Sequence, residues 1–246
     1  LEKEGLPQKM YRLGDDVHTR VNVKVYAKNG ETTDINEPGP CIAHEQAEAF
    51  VNDFEAQLSF ADIVVLSGSL CGGIDGRFYL KLADIANKHG CPVIADAFGE
   101  NLGLLLQAKP AAVKPNLKEL EQLLGKRLTT LPQIYEATRE LLYRGAQKVL
   151  VSLGEKGALM VTPQRALYAP ALEVAVRGTV GAGDSMVAGL AFSMYEKVGD
   201  EQALKLACAC ATACVSSGAT GEITTGMIRS YEKQIRAETW KEEASV

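Results

Sequence analysis

One short segment of the chain combines an anion-binding backbone with a carboxylate. Gly181, Ala182 and Gly183 stand where an apolar run begins, and this run predicts a helix from Gly183 through Tyr195. Successive N–H groups can therefore face one concavity at the positive end of that helix. Asp184 lies at the rim, where an acid would repel a phosphate unless it serves a hydroxyl attacking that phosphate. The segment predicts phosphoryl transfer; the alternative is a glycine-rich turn with Asp184 as an ordinary first-turn helix residue.

A second glycine-containing turn follows a buried strand predicted over residues 147–153. Its sequence is Ser152-Leu153-Gly154-Glu155-Lys156-Gly157. Open α/β sheets bind ligands at this end of a strand, although by composition alone the segment is an ordinary glycine-bounded turn. The sequence has no GxxxxGK[ST] motif and no GxGxxG motif after an N-terminal strand, which disfavours a P-loop NTPase and a dinucleotide-binding protein.

Near the N-terminus, polar residues alternate with valines: Arg20, Asn22 and Lys24 with Val21, Val23 and Val25. The period of two predicts a half-buried strand with the polar side chains on one face. Their donors could bind a phosphate, since arginine grips phosphate as a fork and lysine as a point charge; the alternative is a solvated strand face. Asn29-Gly30 predicts a hairpin turn, with a returning strand over residues 32–35.

The remaining elements alternate in a way that fixes the fold class. Short apolar runs predict buried strands over residues 62–68, 92–96, 111–114 and 147–153, and an antiparallel edge pair over 157–162 and 167–169. Helices are predicted over residues 43–60, 76–89, 117–124, 132–143, 201–215 and 225–237. Asn116 caps the third of these helices, with Glu119 at its third position. Such alternation predicts an α/β fold with a mainly parallel sheet between helical layers.

Composition limits the class of protein further. The 246 residues are 46% hydrophobic, enough for one sizeable core, so we expect a single domain. A net charge of −5 gives no general attraction for nucleic acid or an anionic membrane, which favours a small-molecule substrate. The six cysteines form no paired CxxC motif, which predicts free thiols rather than structural zinc. With no signal peptide and no apolar run near 18 residues, we expect a cytoplasmic protein.

The Gly181-to-Gly189 segment, GAGDSMVAG, resembles the C-terminal signature of the PfkB (ribokinase-like) carbohydrate kinases, in particular the 1-phosphofructokinase and tagatose-6-phosphate kinase branch. Other matching segments follow the order of the family: TRVNVK from Thr19, SGSL from Ser67, KPNLKEL from Lys114 and VSLGEKGA from Val151. The similarity therefore extends over nearly the whole chain.

The resemblance implies a ribokinase-like three-layer α/β/α fold, with residues 1–246 as one kinase domain and residues 18–36 in a small β lid. It implies ATP-dependent phosphorylation of a ketohexose phosphate, most simply of fructose 1-phosphate to fructose 1,6-bisphosphate, with tagatose 6-phosphate as the alternative substrate. ATP and Mg²⁺ are the expected cofactors. Lids of this family often pack against a second subunit, so a homodimer is the expected assembly.

Residue roles follow from the matching motifs. Asp184 would be the general base, with the N–H groups of Gly181, Ala182 and Gly183 holding the phosphoryl group. ATP would be bound by Ser152, Gly154, Glu155, Lys156, Gly157, Lys114, Asn116 and Gly183. The sugar phosphate would be bound by Arg20, Asn22, Lys24, Ser69 and Asp184. Glu119 would organise Mg²⁺ through water, a role compatible with a capping box.

Two departures from the family pattern affect these expectations. Gly178 stands where many ribokinase-like enzymes carry an acid, which argues against a monovalent-cation site of their kind. Thr19-Arg20 corresponds to a point well inside the family chain, so about sixty residues, two βα units with a Gly-Gly-Lys-Gly-x-Asn sugar motif, would precede Leu1 in the family. If the protein lacks them, the alternative is a non-catalytic nucleotide-binding remnant that needs a partner.

Overall fold

The computed structural model describes residues 6–14, 17–26, 32–218 and 221–241. The chain divides into two compact units, Leu1–Phe54 with Leu70–Asp75 and Glu55–Ser69 with Gly76–Val246. The turn predicted at Asn29-Gly30 lies outside the described residues. Among the described residues, the helices are all too short or too polar to cross a membrane. A single kinase domain with a lid over residues 18–36 stays a prediction.

The smaller unit contains an antiparallel hairpin of β1 (Asn22–Tyr26) and β2 (Thr32–Asn36). Val23 pairs with Ile35, so the valines and Ile35 share one face of the hairpin. The prediction of a half-buried strand is wrong, because the side chains on this face are 45–57% exposed: Val21, Val23, Val25 and Ile35. The alternation predicted correctly which side chains share a face, but a period of two does not show whether another element covers that face. Helix α1 (His44–Gln57) begins in this unit.

The larger unit is built on one sheet whose strands lie side by side in chain order. Its parallel strands are β3 (Val64–Ser67), β4 (Val93–Asp96), β5 (Ala112–Val113) and β6 (Val149–Ser152). The antiparallel strands are β7 (Ala158–Val161), β8 (Ala166–Ala169) and β9 (Glu238–Trp240). The predicted α/β class and the predicted pairing of β7 with β8 are therefore confirmed.

Helices cover both faces of this sheet. They are α2 (Gly76–Lys88), α3 (Gly99–Leu105), α4 (Leu117–Leu124), α5 (Leu131–Tyr143), α6 (Ala182–Tyr195), α7 (Asp200–Ser217) and α8 (Thr225–Gln234). Val149, Leu150 and Val151 point alternately to opposite faces of β6 and are all fully buried. Leu150 belongs to a core with Leu190 of α6 and Leu204 of α7, while α4 and α5 pack on β6 as well.

Three elements differ from the sequence prediction. α3 was not predicted, and β9 pairs with β8 where the sequence indicated an edge, so β8 is an interior strand. The helix predicted over residues 225–237 ends at Gln234 because the chain turns there into β9. The Trp240 ring of β9 packs on Tyr135 of α5 with centroids 4.7 Å apart, which anchors this short strand to the rest of the unit.

Candidate active site

The carboxyl ends of the parallel strands bring charged and polar side chains to one edge of the sheet. β4 ends at Asp96, and Lys114 directly follows β5. The Lys114 Nζ atom lies 3.1 Å from Asp96 Oδ1, and the Ser67 hydroxyl at the end of β3 lies 3.5 Å from Asp96 Oδ2. Lys114 is only 4% exposed, so Asp96 offsets the cost of burying its ammonium group. Sequence reasoning identified Lys114 but missed Asp96.

The N-terminus of α6 has the geometry predicted for an anion site. Gly181 is the residue before the first helical turn, and its φ of +81° requires glycine. Within the described residues, the N–H groups of Gly181 and Gly183 have no acceptor, whereas that of Ala182 donates to the Thr179 carbonyl at 3.3 Å. Two of the three N–H groups predicted to hold a phosphoryl group are therefore free to bind an anion.

A second positive charge lies beside this helix end. A Cβ atom on Gly183 would stand 3.3 Å from Lys114 Nζ, so the ammonium group lies close to the helix backbone at this glycine. The ammonium group and the positive end of α6 would repel each other without an anion nearby. Asp96 supplies one negative charge there, and the arrangement favours a second, bound anion.

Asp184 is the third residue of α6, and its side chain is exposed. None of the described residues forms a hydrogen bond or ion pair with its carboxylate, and Gly181, rather than Asp184, occupies the N-cap position. An acid in this first turn interacts favourably with the helix dipole, as the alternative of an ordinary helix residue requires. Because none of the described residues holds it, the carboxylate could also accept a proton.

The turn after β6 forms a tight loop. Gly154–Lys156 is a short 3-10 helix, and Leu153 N–H donates to the Gly157 carbonyl at 2.8 Å. Gly157 has a φ of +97°, and a Cβ there would lie 2.0 Å from the Ala169 carbonyl oxygen, so glycine is required. Tyr168 Oη donates to the Lys156 carbonyl from β8. The loop is thus held by neighbouring backbone, while the Glu155 and Lys156 side chains are exposed.

A cavity of about 580 Å³ connects this loop with the N-terminus of α6. Its wall includes Ser152, Gly154, Glu155, Gly157, residues 170–174, Ala182, Gly183, and Cys208, Ala211, Thr212 and Val215 of α7. Burial, with a contribution from Cys210, raises the pKa of Cys208 to about 12, so this thiol is a neutral part of the wall. Such an apolar cavity beside an anion site suits a nucleoside phosphate. Sequence reasoning missed the α7 wall, whose small residues look like ordinary core.

Asn116 and Glu119 form the predicted capping box at α4. Asn116 N–H donates to Glu119 Oε2 at 2.8 Å, and Glu119 N–H donates to Asn116 Oδ1 at 2.9 Å. A parallel bridge pairs Asn116 with Ser152, which places the cap beside the end of β6. Among the described residues there is no group of three or more His, Cys, Asp or Glu side chains that could hold a metal ion. The capping box uses one carboxylate oxygen of Glu119, whose side chain is partly buried.

The residues predicted to bind the sugar phosphate lie in both units. Arg20 is partly buried and precedes β1, and Asn22 is the exposed first residue of β1. Val21 N–H between them donates to Glu37 Oε2 at 2.7 Å. The Lys24 side chain lies outside what the structure describes. Ser69, in the larger unit, is partly buried and follows Gly68 at the end of β3.

The chain is similar to known proteins over most of its length. The sequence matches the pfkB family of carbohydrate kinases over residues 1–225. The 1-phosphofructokinase of Haemophilus influenzae is 35% identical over 220 residues, which are 89% of this chain and 70% of the relative. The 1-phosphofructokinase of Escherichia coli strain K12 is 38% identical over 204 residues, which are 82% of this chain and 65% of the relative.

A solved structure shows the same fold. The crystal structure of phosphofructokinase-2 from Escherichia coli in complex with potassium superposes with a TM-score of 0.77 at 28% identity, covering 87% of this chain and 70% of that one. The chain thus spans about two thirds of the length of the relatives it matches. The expected ribokinase-like fold is confirmed, and the chain belongs to the pfkB family of carbohydrate kinases.

Proposed function

We propose that this chain transfers the γ-phosphoryl group of ATP to a ketohexose phosphate, converting fructose 1-phosphate to fructose 1,6-bisphosphate. The observation that carries the proposal is the anion site at α6. There, two N–H groups and the Asp184 carboxylate have no partner among the described residues, and Lys114 Nζ lies next to Gly183. A carboxylate that can accept a proton, placed beside N–H and ammonium groups that can bind a phosphoryl group, suits a reaction in which a hydroxyl loses its proton as it receives that group.

The roles of the groups follow from the bonds that change. The hydroxyl oxygen at C6 of the sugar forms a bond to the γ-phosphorus while the bond from that phosphorus to the ADP oxygen breaks. Asp184 accepts the hydroxyl proton. The N–H groups of Gly181 and Gly183, together with Lys114, stabilise the charge on the transferred group.

The nucleotide would occupy the cavity between the 154–157 loop and α7. Its apolar wall suits a purine ring, and its open end leads the phosphates to Gly183 and Lys114. Mg²⁺ would arrive on the ATP oxygens and neutralise their charge. Glu119 and Asn116, beside Ser152, would hold water molecules of its hydration shell.

The phosphate already on the sugar would be bound by Arg20, with Asn22, Lys24 and Ser69 as further donors. Arg20 is the most suitable anchor because its planar fork can hold two phosphate oxygens at once. Tagatose 6-phosphate carries the same two features, an anion and a distant hydroxyl. It is the alternative substrate.

A homodimer through the hairpin is the assembly we propose. On the exposed face, Val21, Val23 and Val25 follow one another along the chain, with Ile35 opposite Val23 and Thr33 opposite Val25. Such a face on a two-stranded sheet is more stable when a second copy covers it.

One observation favours a second candidate, a nucleotide-binding protein without kinase activity. Strand β3 is the edge of the seven-stranded sheet, and its Val65 side chain is 42% exposed. Phe192 and Tyr195 of α6 are also exposed, at 56% and 55%. A partner chain could cover such an edge, and catalysis would then need that partner.

A coupled assay with ATP, Mg²⁺ and fructose 1-phosphate tests the proposal, with tagatose 6-phosphate in parallel. We expect ADP formation that depends on the sugar phosphate and is faster with fructose 1-phosphate. Faster turnover with tagatose 6-phosphate would make tagatose 6-phosphate the preferred substrate in place of fructose 1-phosphate. Nucleotide binding without turnover on either sugar would support the second candidate instead.

A further inference from the structure

The last two turns of α7 hold the segment that leads into the anion site. The Val215 carbonyl accepts hydrogen bonds from Arg177 N–H at 2.8 Å and from Gly178 N–H at 3.4 Å. Two residues beyond Gly178, the Val180 carbonyl accepts a hydrogen bond from the Cys214 thiol at 3.3 Å. Three contacts with α7 therefore hold the chain just before Gly181.

Cys214 also touches Gly181 itself. A Cβ atom at position 181 would stand 3.6 Å from Cys214 Sγ, so the thiol packs against the residue whose φ of +81° opens the anion site. Cys214 is only 6% exposed, so its thiol is packed among its neighbours. A second close approach follows along the same helix pair, where Gly189 of α6 lies against Ala207 of α7.

From these contacts we infer that Cys214 is a positioning residue of the anion site. Its thiol holds the Val180 carbonyl and fills the space behind Gly181, which keeps the Gly181 and Gly183 N–H groups aimed at one point. The residue touches neither nucleotide nor sugar in this arrangement. The inference rests on the proposed function for its catalytic consequence, but not for its effect on phosphate binding.

The orientation of an anion site matters more to bound phosphates than to the rest of a nucleotide. Two N–H groups stabilise a phosphoryl group only when both point at its oxygens, and small displacements weaken such bonds steeply. The apolar cavity that would hold the nucleoside is walled by other α7 residues, among them Ala211 and Thr212. Loss of the Cys214 thiol is therefore expected to weaken binding of the triphosphate selectively.

The test compares the affinities of adenosine and of a non-hydrolysable ATP analogue with Mg²⁺, measured by calorimetry on the purified chain. For Cys214→Ala, we expect the analogue to bind about fivefold more weakly while adenosine binds as before. Cys214→Ser, which keeps a donor of similar size, should restore most of the loss. Where the chain turns over, Cys214→Ala should lower kcat more than it raises KM for ATP.

Cys91→Ala is the matched control. The Cys91 thiol is also buried and donates to a carbonyl, that of Ala61 at 3.1 Å, but it precedes β4 and so lies at the amino end of that strand. We expect it to lower the melting temperature without changing the ratio of the two affinities. Should Cys214→Ala not fold, Cys214→Val removes the donor while retaining volume and carries the same comparison.

The outcomes separate this inference from the proposed function. Equal effects on both ligands, no effect, or a loss shared with Cys91→Ala would overturn the role of Cys214. A chain that binds both ligands but phosphorylates no sugar would refute the kinase proposal while the affinity ratio still tests Cys214. A wild-type chain that binds neither ligand overturns both.

Discussion

At the scale of single residues, the site depends on charges that have opposite requirements. A nearby anion stabilises Lys114, because the lysine ammonium group is buried beside the positive end of α6. An anion bound at this helix end would repel Asp184, because the Asp184 carboxylate is negative. The fold meets both requirements by burying the lysine against Asp96 and leaving Asp184 exposed. The two acids therefore have different surroundings: Asp96 holds a cation, and Asp184 is the acid that we propose to meet a hydroxyl.

Asp184→Asn should abolish most turnover without loss of nucleotide binding. Removing a general base lowers kcat by about 10²- to 10⁴-fold, while the amide keeps the size of the side chain. Calorimetric affinity for ATP and the melting temperature should stay close to wild type. Asp62→Asn, another exposed acid in the larger unit, is the control and should leave kcat unchanged. A kcat for Asp184→Asn close to the wild-type value would show that Asp184 has only a structural role.

Lys114→Met should cost stability as well as ATP affinity. It leaves the Asp96 carboxylate, whose side chain is only 13% exposed, without its cation, at a cost of about 3 kcal/mol in the free energy of unfolding. Adding Asp96→Asn should recover most of this loss, as measured by urea denaturation.

The same pair of variants separates two roles of Lys114. If the lysine also binds phosphate, the double variant should fold almost as stably as wild type and still bind ATP weakly. If the double variant recovers ATP affinity as well as stability, the role of Lys114 is limited to its ion pair with Asp96.

At the scale of elements, α7 connects the sheet to the active site. Its first residue, Asp200, pairs with Lys148 Nζ at 2.7 Å and Arg165 Nε at 3.2 Å, which precede β6 and β8. Its last turns hold the chain before Gly181. Because α7 is held at both ends, a shift of the sheet would move the helix and, with it, the segment before the anion site.

Asp200→Asn should destabilise the larger unit by about 1 to 2 kcal/mol at pH 7. Burial alone would raise the pKa of Asp200, but hydrogen bonds and charges from Lys148 and Arg165 outweigh it, and the pKa is lowered. A lowered carboxyl pKa adds stability above the unfolded pKa of about 3.9, which is lost as pH falls through the folded value. The difference in melting temperature should therefore shrink below about pH 4.

Glu201→Gln is the control for this pH dependence. Glu201 forms an ion pair with Lys205, one turn away on α7, and its side chain is 54% exposed. Its substitution should leave the melting temperature close to that of the wild type. A pH-independent difference for Asp200→Asn would contradict the role given to its charge.

Gly189→Ala should push α6 and α7 apart. The added Cβ would lie 2.9 Å from Ala207 Cα and 3.0 Å from the Leu206 carbonyl oxygen, atoms that cannot move without the helix. We expect a loss of about 1 to 3 kcal/mol by chemical denaturation. Gly103→Ala, also in a helix but with only Leu123 Cδ1 nearby at 3.5 Å, should be neutral or stabilising. Equal effects of the two would show that helix packing does not limit position 189.

Sequence reasoning found the elements with strong periodicity and missed those that depend on distant partners. Helix α5 and strand β4 were predicted within a residue or two because caps and glycines mark their ends. Helix α3 holds two glycines in seven residues, so its local propensity is poor and packing decides it. Strand β9 is three residues long and exists only through its pairing with β8.

The candidate site shows the same division. Gly181, Gly183 and Asp184 could be found because backbone chemistry limits which residues fit, and the capping box of Asn116 follows a local rule. The pairing of Asp96 with Lys114 joins residues from neighbouring strands, and the Cys214 contact joins two helices. No local pattern in the sequence specifies such contacts.

At the scale of the whole molecule, the larger unit has buried residues on both faces of its sheet, but no described strand pairs with the outer edge of β3, where Val65 is exposed. The smaller unit has the opposite character, a hairpin whose apolar face is exposed. Exposed apolar surface of this kind is costly in water and is commonly covered by association. We therefore expect the protein to associate, and its oligomeric state is the property to measure at this scale.

Val23→Lys should weaken self-association through the hairpin. Val23 pairs with Ile35 at the centre of the apolar face, where a lysine in each copy would place like charges in a desolvated interface. Sedimentation velocity over a range of concentrations should show a dimer for the wild type and a shift towards monomer for the variant. Asn36→Lys is the matched control, because Asn36 pairs with Asn22 on the opposite face of the hairpin and adds the same charge away from the valines. Equal association of all three proteins, or a wild type that stays monomeric at every concentration, would place the dimer contact elsewhere or remove it.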